Sequence, residues 1–311
     1  MSKWIYTDGL MTSIKAHLDN ETSRFITYPK FVFLCGKKID SEKETYETSN
    51  RGTIQRALQS KSNNIFFVLS EKLWEDDFDS NIDLLTFEDF LAEVSDSIIL
   101  LVESPGSFCE LGAFSYSHRL FTEKLMIIID EKYKNDKSFI MSGPVAKAKK
   151  EGAKVVFASL EGALLDSIEL RTTLDELIEQ LSSKTFAANK RTPNKEKDNV
   201  LISTFVLEIL ELIKLLQPIS RKKLIEIYKE VKGFSTFKFV KKNGENFNSE
   251  IRVDYIMKLL QNAELVEEKD GVLEYKKDDL QPFMLKYNKK TETKERLRLF
   301  CKRYRYTRGI K

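Results

Sequence analysis

At 311 residues, 41% hydrophobic and 32% charged, the chain is long for one domain and has the composition of a globular protein. No run approaches the roughly 20 apolar residues of a membrane span. The opening MSKWIYTDGLMTSIKAHLDNE lacks a secretory signal's apolar core and small-residue cleavage site, so a cytoplasmic protein is expected. The net charge of +3 conceals an asymmetry: residues 281–311 carry 11 Lys and Arg against 2 Asp and Glu, leaving 40 against 46 in the first 280.

Five short apolar runs punctuate the first half: FVFLCG (31–36), NIFFVLS (64–70), SIILLVES (97–104), LMIIID (125–130) and KVVFAS (154–159). They are rich in β-branched or aromatic residues and lack strict alternation, as strands covered on both faces do. Between them TIQRALQSK, LLTFEDFLAEV and SFCELGAFSYSHRLFTE place apolar residues at helical spacing. The alternation predicts an α/β fold with a doubly wound parallel sheet, flavodoxin- or Rossmann-like, and LDSIELRTTLDELIEQL closes it with a helix, giving a domain over 1–181.

The stretch 182–199, SSKTFAANKRTPNKEKDN, is polar, contains Pro193 and reads as a linker. Over 200–280 three helical segments (VLISTFVLEILELIKLL, SRKKLIEIYKEVK and SEIRVDYIMKLLQNAEL) precede a hairpin turning at Asp270-Gly271. That is the element order of a winged helix-turn-helix domain, with 233–248 longer than its usual turn. The third helix offers Arg252, Lys258 and Gln261 for base readout, which suits charge- and shape-based binding or protein contact. In the tail 281–311, Arg296, Arg298, Lys302, Arg303, Arg305 and Arg308 surround Phe300, Tyr304 and Tyr306. Such a mixture neutralises phosphates and stacks on bases; a solvated amphipathic helix explains the composition equally well.

Cys35, Cys109 and Cys301 are odd in number and far apart, giving neither a disulfide framework nor a metal-ligand spacing. The stretch SIILLVESPGSFCELGAF carries more chemistry. A buried strand ends in Glu103, turns through Ser104-Pro105-Gly106-Ser107, and enters a helix carrying Glu110. In open α/β sheets ligands bind at this edge, and backbone N–H groups of 104–107 at a helix N-terminus suit a phosphate or a ribose. A carboxylate beside that loop meets the positive charge that develops at C1′ when an N-glycosidic bond breaks. Plainer roles exist for each residue: Glu110 as a partner of the helix dipole, Ser107 or Gly106 as a cap, Cys109 as a small hydrophobe against the sheet, Asp96 as a turn residue and His118 as packing.

The run from Asp96 through Glu110-Leu-Gly-Ala resembles the signature of the nucleoside 2-deoxyribosyltransferase family. It is also similar to the Pro-Gly-Gly…Glu motif of phosphoribohydrolases that release cytokinin bases. The resemblance implies that Glu110 engages the ribose and carries the N-glycosidic chemistry, with Glu103 as second carboxylate. FLCGKK (33–38) resembles the family's first nucleotide-contacting loop, which implies nucleotide contacts from Cys35, Gly36 and Lys37 beside Asp96, Ser104, Pro105, Gly106 and Ser107. The family's base-binding aspartates find no single match among Asp83, Asp89 and Asp96. Followed by a winged-helix-like domain and a basic tail, the arrangement resembles the effectors of type II-A retron antiphage systems. That resemblance implies a toxin that hydrolyses NAD⁺ as substrate, without cofactor or metal, restrained by the retron reverse transcriptase and its RNA–DNA product, msDNA, in a homo-oligomer or higher assembly. A nucleotide-sensing DNA-binding regulator and a salvage deoxyribosyltransferase are the alternatives.

Overall fold

The computed structural model describes residues 11, 12, 14, 15, 18, 23–25, 28–39, 45–74, 82–116, 123–187, 198–247, 252–277 and 284–286. The basic residues Arg296 to Arg308, the centre of the expected linker, His17, His118 and Cys301 lie outside the described residues. The chain divides into two compact units, Pro29–Lys184 and a second formed by Met1–Tyr28 with Thr185–Lys311. The N-terminal segment thus groups with the C-terminal half, where the sequence placed it in a 1–181 domain.

The first unit holds one five-stranded sheet. Its strands are β1 (Lys30–Cys35), β2 (Ile65–Val68), β3 (Ser97–Val102), β4 (Leu125–Asp130) and β5 (Lys154–Ala158), all parallel in the order β2-β1-β3-β4-β5. All five strands expected from the apolar runs form. Every residue of β1, β3 and β4 is buried, which is why these strands read as unbroken apolar runs. Helices α1 (Asn50–Gln59), α2 (Ser70–Trp74), α3 (Leu84–Val94), α4 (Pro105–Tyr116), α5 (Ala146–Lys150) and α6 (Ile168–Ser183) flank the sheet. On one face Val32, Leu34, Ile99, Leu101, Met126 and Ile128 pack with Ile54 and Leu58 of α1 and with the Leu170-Leu174-Leu177-Leu181 stripe of α6. The alternate residues look the other way, where Phe33 meets Phe114 of α4 edge-on at 6.1 Å. The spacing missed α2, the one-turn π-helix Met141–Val145 and α5, each too short to show a period, and α6 runs two residues into the expected linker.

In the second unit β6 (Asn199–Leu201) pairs in parallel with β7 (Lys238–Val240). Helix α7 (Ile202–Leu216) is buried on all sides, matching its nearly continuous apolar sequence. Phe205 on it packs against Tyr228, Phe237 and Phe239 at 4.9–5.3 Å, so the long segment after residue 232 braces this helix through two of its aromatic rings. The wholly buried Glu208 accepts hydrogen bonds from Tyr228 Oη at 2.9 Å and Lys232 Nζ at 2.7 Å. Helix α8 (Arg221–Lys232) starts at the Ser220 cap and stops at Gly233, whose φ of +70° suits glycine. After α9 (Val253–Asn262), β8 (Val266–Lys269) and β9 (Val272–Tyr275) form the expected antiparallel hairpin. Asp270 and Gly271 both have positive φ, as a type I′ turn requires. Ile219, between α7 and α8, adds an antiparallel bridge to Leu273 of β9. A separate three-stranded sheet sets Ser23–Phe25 between Phe186–Ala187 and Met284–Lys286. Among the described residues no helix is long and apolar enough to cross a membrane.

Candidate active site

The strand order reverses direction between β1 and β3, and ligands of such sheets bind beyond the strand C-termini at that reversal. β1 delivers Cys35, Gly36 and Lys37 there; β3 delivers Val102, Glu103 and the turn into α4. Pro105 takes the first helical position, where its missing N–H costs nothing. Ser104 rather than Gly106 or Ser107 is the cap: its hydroxyl accepts from Ser107 N at 3.2 Å and its carbonyl from Phe108 N at 3.0 Å. Ser107 is fully buried, and its Oγ accepts the N–H groups of Glu103 at 2.9 Å and Ser104 at 2.8 Å. The loop is therefore braced internally. The Ser104 and Ser107 amides expected to meet a phosphate are bonded to hydroxyls, while Pro105 and Gly106 are exposed.

Strand alternation sends Glu103 to the α1 face. Its Oε1 accepts from Lys37 N at 3.2 Å, and its Oε2 from Asn50 Nδ2 at 2.8 Å; Asn50 also donates to Leu160 O at 2.9 Å. Glu103, Lys37 and Asn50 line a cavity of about 260 Å³ together with Phe108, Tyr133 and Lys132. Asp130, at the tip of β4, accepts the N–H groups of Lys132 at 3.0 Å and Leu160 at 3.2 Å and so fixes the far wall.

Glu110 is not among the residues lining that cavity. Its Oε2 is buried without a hydrogen-bond partner. Burial first, then the neighbouring Glu88 carboxylate, pushes the Glu110 carboxyl up to about 8; Glu71 adds to this and Arg51 opposes it. Burial likewise raises Glu88 to about 7. Cys35 is buried, and desolvation together with the Glu110 charge holds its thiol well above the ordinary range, so it forms a neutral wall.

Arg51 is 2% exposed. Its Nη1 pairs with Glu71 Oε1 at 2.6 Å and its Nη2 donates to Lys37 O at 2.8 Å, while its Nε is buried without a partner. The stem crosses Gly36, where a β-carbon would stand 3.3 Å from Arg51 Cγ and Cδ and 3.1 Å from Glu103 Oε1. A β-carbon there would be tight against both side chains, each of which would have to give by a few tenths of an ångström.

Two sequence expectations change. Asp96 is at the N-terminal end of β3, roughly 20 Å from Glu103 by strand rise. There it accepts from Phe31 N at 3.1 Å and pairs with Lys184 at 2.7 Å, so it fastens the sheet rather than meeting a ligand at the switch point. Cys109 is exposed rather than turned to the sheet. Of the other aspartates, Asp83 caps α3. Sequence reading missed Asn50, Arg51, Glu71 and Glu88. The signals were present: Ser-Asn-Arg opens the helix after β1, which in a doubly wound fold returns to the ligand edge, and Glu88 sits in the apolar LLTFEDFLAEV.

A family model described as STM3845 retron effector protein matches residues 47–268, a span that contains Asn50, Arg51, Glu71, Glu88, Glu103 and Glu110. The "Retron Ec73 putative ribosyltransferase/DNA-binding protein" of Escherichia coli is 33% identical over 229 residues, 69% of this chain and 70% of that protein. The "Retron Ec86 putative ribosyltransferase/DNA-binding protein" of Escherichia coli is 32% identical over 212 residues, 65% of each.

Proposed function

The chain belongs to the STM3845 retron effector family, and from that premise we propose that it is the toxin of a retron antiphage system that hydrolyses the N-glycosidic bond of NAD⁺. The carrying observation is the pair of glutamates at the β1/β3 switch point, Glu103 in an open cavity and Glu110 with a buried carboxylate oxygen that no protein group satisfies. Glu103, held by Lys37 N–H and Asn50, accepts from ribose hydroxyls. Glu110 meets the developing charge at C1′. The C1′–N bond breaks with its electron pair passing to the nicotinamide nitrogen, which loses its positive charge and needs no general acid. Water adds to C1′ and yields its proton to a carboxylate. The cationic nicotinamide riboside portion also draws Glu110 toward its ionised form on binding.

The second unit reads as a winged helix: α7, Ile219, α8, α9 and the β8–β9 hairpin follow that order, and Ile219 supplies the third strand of the wing. Helix α9 exposes Asp254 and Asn262 but little base-reading chemistry, which favours contact with the backbone of msDNA or with the reverse transcriptase over sequence readout. The relatives' names, which pair ribosyltransferase with DNA-binding, support a division into a glycosidic and a nucleic-acid half. The test is nicotinamide release from NAD⁺ by wild type and Glu110→Gln, alone and bound to reverse transcriptase and msDNA. Release by the free wild type only, suppressed in the complex, is expected. Inertness of the wild type in every assembly state overturns the reading.

A further inference from the structure

We propose that Lys132 is the residue that tells a phosphorylated substrate from a bare nucleoside in the Glu103 cavity, and that Glu161 is the carboxylate a phosphoryl group displaces from it. The inference rests on the N-glycosidase reading above and names the part of the substrate that this cavity grips. Both side chains line the cavity and come from adjacent strand tips, Lys132 from the turn after β4 and Glu161 from the loop after β5. Asp130 accepts Lys132 N–H at 3.0 Å, so the lysine backbone is pinned while its side chain is 50% exposed. Lys132 Nζ meets Glu161 Oε1 at 2.5 Å, stands 4.0 Å from Asp130 Oδ2 and lies 5.3 Å from the centre of the Tyr133 ring. Glu161 is 80% exposed, and an ion pair this open to water contributes little, so its carboxylate gives way to a stronger anion. A phosphoryl group is that anion, with more charge and more acceptor oxygens. The other acids of the cavity are engaged elsewhere: Glu103 accepts from Lys37 N and Asn50 Nδ2, and Asp130 from two backbone N–H groups. The sheet supplies the spacing. Val102 of β3 is in register with Ile129 of β4, so Glu103 and Lys132 leave neighbouring strands about 4.8 Å apart. Lys37 N–H occupies the β1 side of Glu103. A ribose on Glu103 therefore turns its 5′-phosphoryl group, which hangs just outside the ring, to the β4 side where Lys132 stands.

The experiment is isothermal calorimetry of ADP-ribose binding to the full chain, which needs no turnover. Lys132→Met is expected to weaken ADP-ribose about tenfold, the loss of one hydrogen bond between charged groups. Glu161→Gln, which releases the ammonium, is expected to tighten it several-fold. Lys154→Met removes the same charge from a pair with Glu176 at the other end of β5 and is expected to leave binding unchanged. A Lys132–Glu161 pair that merely tied two loops together would lose affinity in both of its variants alike. The kinetic counterpart is KM: Lys132→Met is expected to raise it for NAD⁺ by a similar factor with kcat kept, and to leave it unmoved for nicotinamide riboside, which lacks the phosphates. Losses of affinity in both Lys132→Met and Glu161→Gln, an unmoved affinity in Lys132→Met, or no binding of millimolar ADP-ribose by wild type overturns the inference. Absent nicotinamide release with opposite shifts of ADP-ribose affinity in the two variants overturns the N-glycosidase reading and upholds the role of Lys132.

Discussion

The two ends of β3 carry acidic residues under opposite conditions. At the N-terminal end Asp96 has a backbone N–H from Phe31 and the ammonium of Lys184. At the C-terminal end, beyond the braced Ser104–Ser107 loop, Glu110 keeps an oxygen with nothing to bond and a charge that its surroundings disfavour. One acid is satisfied by the fold and contributes to it. The other is tolerated at a cost, and a buried polar group left unsatisfied has a use outside the folded chain or it would be a liability. Residue type and the neighbouring motif do not separate the two; partners do.

Substitutions at each end sharpen that contrast. Glu110→Gln keeps the side chain's shape and removes its charge, so nicotinamide release is expected to fall by about 10³-fold or more with an unchanged circular dichroism spectrum, a loss of roughly 4 kcal/mol of transition-state stabilisation. Gly36→Ala pushes a methyl against Glu103 Oε1 and the Arg51 stem; release is expected to drop about 10–100-fold, visible in kcat/KM. Asn50→Ala unfastens Glu103 from the cavity wall and is expected to raise KM several-fold, on the order of one lost hydrogen bond to a charged group. At the other end of the strand, Asp96→Asn is expected to lower unfolding stability by about 1–3 kcal/mol in denaturant titrations while release per folded molecule stays the same. Loss of activity at constant stability in Asp96→Asn would erase the contrast between the two ends.

The same contrast has a pH signature. Glu88 and Glu110 are raised to about 7 and about 8, so the folded state holds protons that the unfolded chain has already released. Stability therefore falls as pH climbs from the ordinary carboxyl value of 4.5 to these raised values, and it is fully present only below that interval, where both states bind the protons. Glu110→Gln and Glu88→Gln are each expected to melt above wild type at pH 9, the gap closing toward pH 5. Equal melting at both pH values would place these carboxyls in a wetter setting than the packing indicates.

Much of the fold is legible in the residues themselves. Unbroken apolar runs announce the five parallel strands because both faces of the sheet are covered, and Asp270-Gly271 announces its hairpin because two consecutive positive φ values leave few other residues. The opening of the site is legible for the same reason: Glu103 and Glu110 follow directly from a buried strand. Its other half is not. Arg51 and Glu71 pair at 2.6 Å across 20 positions of sequence, and they, like Glu88, lie up to 59 positions from Glu110, a separation no local motif spans. Asp96 misleads for a local reason: the motif places it near Glu103 in sequence, but a fully extended strand separates them. Elements of three to five residues, such as α2, α5 and the Ser23–Phe25 sheet, escape because they are shorter than the period that would reveal them.

The most direct test of the central claim is a crystal structure of Glu110→Gln with NAD⁺ bound. The account predicts the nicotinamide ribose at the β1/β3 switch point, its hydroxyls on Glu103 and its C1′ facing residue 110. Density for the dinucleotide elsewhere, with residue 110 still sealed from the ligand, would contradict it.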